Sequence, residues 1–298
     1  MQSSFSFKSI LYITLPLVII FVIVLTAYWL FTPPVQFDGQ RAYALVQHQM
    51  SLGARTPGSQ AHAQTIQWIS STLQKNRWQV DIQKGTQIGK PIQNIIARRG
   101  AGSPWIIIGA HYDCRMFADK DPDASKRSLP VPGANDSASG VAVLLELSRV
   151  LPKQEHPQIW LVFFDAEDQG RIDNWDWILG SRYFASQLQD KPDAVIIIDM
   201  IGDADLNIYM EHNSDQALTE QIWNTADEIG YSKNFVPTYK FSILDDHTPF
   251  LEKGIRAIDI IDFDYPYWHT TQDTADKVSP QSLQAIGETL VKWLEKQR

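Results

Sequence analysis

The pattern of hydrophobic and polar positions divides the chain into an apolar start and a long region of mixed segments. Residues 10–31 read ILYITLPLVIIFVIVLTAYWLF and contain no charged residue. About 20 apolar residues span the core of a bilayer. Tyr28 and Trp29 stand at the far end, where aromatic residues of membrane interfaces occur. We therefore predict a transmembrane anchor over residues 10–31.

The alternative interpretations of this segment are a cleaved signal peptide and a buried core helix, and its length disfavours the core helix. Its apolar stretch is long, and no small-x-small cleavage site follows it, which favours the anchor. Lys8 is the only charged side chain before it, so residues 1–9 are predicted to be a short cytoplasmic tail. We expect the lipid bilayer as a partner and a single-pass membrane protein whose main domain is exported.

The remainder of the chain reads as a linker followed by one domain. Residues 32–37 (TPPVQF) contain paired prolines, which favour extended chain. No internal repeat or second linker interrupts residues 38–298, so we predict one domain there.

Segments within this domain alternate between two patterns. Continuous apolar runs are typical of strands buried on both faces, whereas helical spacing of apolar residues indicates amphipathic helices. The predicted strands are 78–82, 94–97, 105–109, 158–164, 194–198 and 255–261. The predicted helices are 41–50, 60–74, 137–151, 216–228 and 280–295. This alternation predicts an α/β fold with a largely parallel sheet.

Composition excludes several classes of protein. The chain has 298 residues, 44% of them hydrophobic, and a formal net charge of −8. The apolar fraction excludes full disorder. An acidic chain repels phosphate, so we expect no nucleic-acid partner. The single cysteine, Cys114, excludes a disulfide scaffold, and with no visible base beside it we do not expect it to be a nucleophile.

Acidic residues and histidines follow the predicted strands where each strand ends. They are His111, Asp113, Asp165, Glu167, Asp168 and Asp199, with Asp136 before a helix and Asp245, Asp246, His247 and His269 nearer the C-terminus. Ligands of such folds bind beyond the carboxyl ends of the strands. Clustered carboxylates need a partner such as a divalent cation. Nitrogen and oxygen ligands without thiolate suit zinc.

Each of these residues also has an ordinary structural interpretation. Asp136 could cap the helix that follows, His111 could be a hydrogen-bonded core histidine, and Trp268 could be core packing. All such interpretations would have to hold together, so we favour a metal site. The other histidines are not accompanied by acidic residues at predicted strand ends, and we expect them on the surface. They are His48, His62, His156 and His212.

Seven short motifs stand in a fixed order. They are GAHYD (109–113), GANDSASG (133–140), FFDAED (163–168), LGSRYFA (179–185), IDMIG (198–202), DDHTPFLEKGI (245–255) and WHTTQDT (268–274). Together they resemble the zinc aminopeptidase superfamily, which also contains the animal-type glutaminyl cyclases. The resemblance runs from about Phe37 to the end. It implies a three-layer α/β/α fold with a central mixed, mostly parallel sheet, a zinc-dependent catalytic domain over 38–298, and a monomer.

The resemblance also implies metal ligands. Aminopeptidases of this superfamily hold two zinc ions at positions that match His111, Asp136, Asp168, Asp199 and His269. The cyclases hold one zinc at the positions of Asp136, Asp168 and His269, and the position of Asp199 then belongs to a proton-handling network. The expected cofactor is therefore zinc, as one ion in a cyclase and two in an aminopeptidase, with His111 and Asp199 as the candidates for the second metal or for supporting contacts.

Three details favour a cyclase similar to the bacterial glutaminyl-peptide cyclotransferases. A Trp-containing insert (169–179) follows FFDAED, Asp245 precedes the Asp-His pair, and Trp268 directly precedes the final histidine. Two positions depart from the family pattern. Asp168 replaces the commoner glutamate, and Asp259 stands where animal cyclases carry a histidine.

The reaction implied by the resemblance converts an N-terminal glutamine of a peptide or protein to pyroglutamate with loss of ammonia. Zinc would polarise the γ-carbonyl oxygen. Glu167 would move a proton from the α-amine to the departing nitrogen. Asp199 and Asp245 would hold Glu167 partly protonated.

A small aromatic pocket is expected beside these groups. Its predicted wall residues are Trp268, Tyr265, Tyr267, Trp175 and Trp177. The alternative function is a di-zinc aminopeptidase that removes N-terminal residues, in which Glu167 would act on a zinc-bound water. A binding protein that lost the chemistry is disfavoured because Glu167 and the ligand set are intact.

Overall fold

Eight strands form two sheets in the computed structural model, which describes residues 36–152 and 157–297. They are β1 (Gln79–Gln87), β2 (Lys90–Arg99), β3 (Trp105–His111), β4 (Gln158–Phe164), β5 (Ala194–Asp199), β6 (Ile208–Glu211), β7 (Phe235–Phe241) and β8 (Ala257–Ile261). The main sheet has the order β1-β2-β4-β3-β5-β8, and β6 and β7 form a small parallel pair. Strands β4, β3, β5 and β8 are parallel, whereas β1 and β2 add an antiparallel edge.

Helices cover both faces of the main sheet. They are α1 (Gly39–Leu52), α2 (Gln60–Lys75), α3 (Ala138–Val150), α4 (Leu179–Gln187), α5 (Gln216–Glu228), α6 (Thr248–Glu252) and α7 (Pro280–Glu295), with short 3₁₀ turns at Ala124–Lys126 and Ala275–Lys277. Successive side chains of a strand point to opposite faces. Accordingly Ile106 and Ile108 pack in one core with α1, α3 and α7, and Ile107 packs in the other with α4 and α6. The α/β fold with a mixed central sheet in three layers is confirmed.

Strand and helix positions follow the hydrophobic pattern closely where burial is complete. All five predicted helices and all six predicted strands occur, and Ser279 caps α7 by accepting N–H bonds from Gln281 and Ser282. Strands β1 and β2 are longer than predicted because their hairpin extends beyond the apolar residues, and β1 carries no fully buried side chain. The short elements β6, β7, α4 and α6 were not predicted.

The predicted anchor (10–31) and the predicted tail (1–9) lie outside the described residues, as does most of the linker. Among residues 36–152 and 157–297, no helix is both long and apolar enough to cross a bilayer. The anchor, the cytoplasmic N-terminus and the export of the main domain therefore stay predictions.

The order of the strands determines where polar residues gather. Strand β3 lies between β4 and β5 in the sheet. The connection after β3 leads to β4 on one side of it, and the connection after β4 leads to β5 on the other side. The carboxyl ends of parallel strands meet at one edge, and a ligand crevice opens where the strand order reverses. His111 ends β3, Asp165 follows β4 and Asp199 ends β5. These three strand ends bring the predicted site residues to one place.

Candidate metal centre

Five buried side chains at this edge form two groups of converging ligand atoms. Asp136, Asp168 and His269 form one group, and His111, Asp136 and Asp199 form the other. Within each group the ligand atoms lie within 4.8 Å of one another. None of the five is more than 8% exposed. Asp136 belongs to both groups, as a residue that bridges two metal ions would.

Distances within the two groups are those of side chains that face a common point. His269 Nε2 lies 2.8 Å from Asp168 Oδ1 and 3.7 Å from Asp136 Oδ2. His111 Nε2 lies 3.1 Å from both Asp136 Oδ1 and Asp199 Oδ1. His111 Nε2 makes its hydrogen bond with Asp199 Oδ1, so the buried oxygens Asp136 Oδ1 and Asp168 Oδ2 are left without a hydrogen-bond partner among the described residues.

Such orphaned buried oxygens are costly unless a cation or proton satisfies them. Imidazole nitrogens and carboxylate oxygens without thiolate are zinc ligands. The residues present therefore fit zinc, either as one ion on Asp136, Asp168 and His269 or as two ions with His111 and Asp199 added.

The loop that precedes α3 is held so that Asp136 points into the site. The backbone N–H groups of Asn135 and Asp136 donate to the Asp273 carboxylate at 2.8 and 3.2 Å. The buried Arg55 guanidinium donates to the Gly133 carbonyl at 2.5 Å. Gly133 has φ +77°, and a Cβ there would lie 2.6 Å from the Asp136 carbonyl oxygen, so the turn requires glycine. The N-cap of α3 is Ser137, and Asp136 does not cap the helix.

A tight turn after β4 presents Glu167 and Asp168 side by side. Ala166 takes a left-handed conformation with φ +52°. The buried Asp113 carboxylate accepts the Glu167 N–H at 3.0 Å and the Asp168 N–H at 3.4 Å. It also accepts from Gln169 Nε2 at 2.9 Å. Asp113 thus fixes the backbone that carries both residues.

A cavity of about 440 Å³ opens beside the two groups. Glu167, Asp199 and Asp245 line it, together with the ligands of the first group. Trp268 and Trp177 also line it. The Trp268 ring stacks on His269 at a centroid distance of 3.9 Å, and the Trp177 ring lies within 10° of parallel to His269 at 6.0 Å. The cavity therefore has an acidic end and aromatic walls.

Three of the five predicted wall residues do not line this cavity, which corrects their assignment. Tyr265 is buried, and its hydroxyl donates to Asp273 Oδ1 at 2.7 Å, so it supports the loop before α3. Tyr267 lines a separate depression with Lys277. Trp175 packs against a small cluster of Ile92, Ala166 and Leu179, and Lys90 lies over its ring. The apolar residues that line the cavity instead are Met200, Ile243, Leu244, Ile261 and Phe263.

Burial gives the acids of the cavity unusual proton affinity. Burial, opposed by His111 and reinforced by Asp168 and Asp245, raises the pKa of Glu167 well above its usual range. Burial likewise raises the pKa of Asp199 to about 7, although His111 opposes the shift. A carboxyl whose pKa is raised can hold a proton and release it, which is the property of a general acid and base.

A third buried group lies against the first two. Asp245, His247 and Asp259 place ligand atoms within 4.8 Å of one another. Burial and the charge of Asp245 raise the pKa of Asp259 well above its usual range.

Two predictions about residues outside the site have opposite outcomes. The prediction that His62 lies on the surface is wrong: this residue is buried, and its Nε2 pairs with Asp165 Oδ1 at 2.8 Å. His48 and His212 are exposed as predicted, and His156 lies outside the described residues. Burial raises the pKa of the Cys114 thiol to about 12, in keeping with the prediction that it is not a nucleophile.

Sequence reasoning missed several polar residues that hold the site together. They are Arg55, Arg115, Asp119 and Asp273. Arg115, Asp119 and Asp273 lie in or near the motif loops, whereas Arg55 lies far from all seven motifs in the sequence. Their roles depend on contacts with distant loops, which no local pattern shows.

Comparisons with known proteins agree with this geometry. The sequence model described as Peptidase family M28 matches residues 94–294. A mouse glutaminyl-peptide cyclotransferase-like protein is 24% identical over 302 residues, which cover 87% of this chain and 76% of that protein. The crystal structure of Tannerella forsythia glutaminyl cyclase superposes with a TM-score of 0.83 at 31% identity, covering 89% of this chain and all of that one. A Zn-dependent exopeptidase from Parabacteroides distasonis gives 0.83 at 29% identity, covering 88% and 99%.

Proposed function

The chain belongs to peptidase family M28, and on that premise we propose that it is a zinc-dependent glutaminyl-peptide cyclotransferase. The observation that carries the proposal is the position of Glu167. This buried carboxyl, whose pKa is raised, lines one cavity with Asp199, Asp245 and three candidate zinc ligands. The similarity to bacterial and animal cyclases supports the same reaction, and the similarity to a Zn-dependent exopeptidase supports zinc as the metal.

The reaction requires one proton to change place. The α-amine nitrogen of an N-terminal glutamine forms a bond to the γ-carbon, and the bond from that carbon to the side-chain nitrogen breaks. The amine loses a proton and the departing nitrogen gains one, so ammonia leaves and a pyroglutamyl ring remains. A single carboxyl that accepts the first proton and returns it to the leaving group completes the balance.

We assign this transfer to Glu167. It is 8% exposed and lies in the same turn as Asp168, directly before it in the sequence. Both residues line the same cavity. Asp199 and Asp245 line the cavity with it and share the negative charge of the site. Neighbouring carboxyls raise one another's pKa, which keeps Glu167 able to return the proton it takes.

The remaining parts of the site orient the substrate. When bound by Asp136, Asp168 and His269, zinc supplies a Lewis acid for the γ-carbonyl oxygen. Trp268 and Trp177 wall the cavity and exclude water from the small glutamine side chain. Because the attack is intramolecular, fixing one conformation of the substrate lowers the barrier directly.

The proposal is tested by incubating the purified full-length chain with a Gln-initiated peptide and a Leu-initiated peptide and following both by mass spectrometry. Loss of ammonia from the Gln peptide supports the cyclase. Glu167→Gln should abolish turnover while zinc content stays that of the wild type, since Glu167 is not among the proposed ligands. Glu252→Gln is the matched control, because Glu252 is exposed and pairs with Arg182 on the surface. Retained activity in Glu167→Gln would remove this residue from its role.

A second candidate function rests on the group formed by His111, Asp136 and Asp199. This group offers a complete second metal position, as a di-zinc aminopeptidase requires. Release of free leucine from the Leu-initiated peptide, together with two zinc ions per chain, would support the aminopeptidase and overturn the cyclase.

A further inference from the structure

A buried guanidinium contacts one of the proposed zinc ligands and pairs with a carboxylate that faces another. Arg115 is 2% exposed and belongs to the loop that follows β3. We propose that Arg115 and Asp119 form a positioning pair that fixes Asp168 and His269 in the geometry that binds the metal. Neither residue has a role in the proton transfer described above.

The pair is joined by a two-pronged contact. Arg115 Nε donates to Asp119 Oδ1 at 3.0 Å, and Arg115 Nη2 donates to Asp119 Oδ2 at 2.7 Å. Two parallel N–H···O bonds between guanidinium and carboxylate add directional precision as well as strength. A lysine ammonium cannot reproduce this fork.

Asp119 connects the pair to the histidine ligand. His269 Nδ1 lies 3.6 Å from Asp119 Oδ1, while its Nε2 faces Asp168 and Asp136. A carboxylate at the second ring nitrogen of a metal-binding histidine orients the ring and selects its tautomer. Against the cost of burial, interactions with His269 and Arg115 lower the pKa of Asp119 below its usual range, so Asp119 remains an ionised acceptor.

Arg115 connects the pair to the aspartate ligand. Its Nη1 donates to the Asp168 backbone carbonyl at 2.9 Å and lies 3.7 Å from Asp168 Oδ1. Its Nη2 donates to the Gly170 carbonyl at 3.2 Å. Aspartate has one methylene fewer than glutamate, so the backbone position largely sets where the Asp168 carboxylate can reach. Holding this carbonyl therefore holds the ligand.

An aromatic ring closes the arrangement. The Arg115 guanidinium lies 4.8 Å from the centroid of the Trp177 ring, which is nearly parallel to the His269 ring. Stacking on an aromatic face is a second property of arginine that lysine shares poorly. Arg115 thus contacts Asp168 and Trp177 directly, and His269 faces both Trp177 and Asp119.

The test measures zinc affinity directly, because the proposal rests on the metal centre of the proposed function and not on its reaction. Full-length wild type, Arg115→Lys and Asp119→Ala are stripped of metal, and zinc is titrated in competition with a chromogenic chelator. Loss of such supporting contacts typically weakens metal affinity by about 10- to 100-fold, and we expect this in both variants. The visible spectrum of the cobalt-loaded variants should also differ from wild type, since ligand orientation changes.

Matched controls separate positioning from general loss of structure. Arg182→Lys and Glu252→Ala alter an exposed pair of the same chemistry and should leave zinc affinity unchanged. The Asp119 side chain is 42% exposed, so Asp119→Ala should fold even if Arg115→Lys does not. In that case the zinc affinity of Asp119→Ala alone tests the proposal.

Each outcome bears on a separate statement. Unchanged zinc affinity in folded Asp119→Ala and Arg115→Lys would overturn the positioning pair. A wild-type chain that binds no zinc would overturn the metal centre and the pair together. Weakened zinc binding in the variants, combined with no cyclase activity in wild type, would refute the proposed function and leave the pair supported.

Discussion

We expect removal of the Asp113 side chain to destabilise the turn after β4 that carries Glu167 and Asp168. Asp113 is fully buried and accepts three hydrogen bonds, from the backbone of Glu167 and Asp168 and from Gln169 Nε2. Asp113→Ala would leave the N–H groups of Glu167 and Asp168 buried without an acceptor, and Gln169 Nε2 would keep only its bond to the Cys114 carbonyl. The turn would then be stable only if it rearranged or admitted water.

The magnitude follows from these contacts. A buried donor left without its partner costs about 1–3 kcal/mol. The bonds to Glu167 N and Gln169 Nε2 are of normal length, at 3.0 and 2.9 Å, and the bond to Asp168 N at 3.4 Å counts least. We therefore expect Asp113→Ala to lower the free energy of unfolding by about 3–5 kcal/mol, a large share of the roughly 5–15 kcal/mol of a typical domain.

Urea denaturation of the metal-free protein, followed by circular dichroism, measures this loss without a contribution from zinc. Linear extrapolation gives the free energy of unfolding for wild type, Asp113→Ala and a control, Asp81→Ala. Asp81 pairs with Arg98 on the surface, and such a pair contributes only about 0–1 kcal/mol. A loss below about 1 kcal/mol in Asp113→Ala would show that water replaces the three bonds, and the reasoning would be refuted.

Two further predictions concern metal and pH. Removing zinc with a chelator should lower the melting temperature, and added zinc should restore it, because a ligand that binds only the folded state stabilises that state; an unchanged melting temperature would contradict the metal centre. Burial raises the pKa of Asp262 to about 7, so the folded chain holds this proton more tightly than the unfolded chain, and stability should fall as pH rises from the ordinary aspartate pKa through about 7. Asp262→Asn should flatten part of this fall in the melting temperature; an equally steep fall would contradict the assignment.

The gathering of the site at one sheet edge could be predicted because it depends on strand direction alone. The runs WIIIG, WLVFF and AVIII are apolar enough to indicate buried parallel strands. Residues that follow such strands must meet, and His111, Asp168 and Asp199 do. The sequence pattern does not predict β6 because this strand has only four residues, nor β7 because Pro237 interrupts its apolar residues and Thr238 and Lys240 are polar.

The walls of the cavity could not be predicted in the same way. Trp175 and Trp177 stand in an insert where Arg171, Asn174 and Ile178 have positive φ. Side chains in such a segment follow neither the strand nor the helix period. Two tryptophans separated by a single residue therefore differ, since Trp177 lines the cavity and Trp175 packs against a separate cluster. The contact of Asp119 with His269 likewise joins loops 150 residues apart, and no local pattern indicates it.

The acidic edge of the sheet explains why a proton carrier and a metal site occur together. Each buried carboxylate costs several kcal/mol unless a cation, a donor or a proton offsets its charge. Arg115 is already committed to Asp119 and to the Asp168 backbone. The raised pKa of Glu167 marks where a proton offsets the charge. The orphaned oxygens of Asp136 and Asp168 mark where a metal would. Burial of the acidic loops at this edge thus produces a carboxyl that holds a proton beside a position for a Lewis acid. The proposed cyclisation of glutamine needs both of these groups.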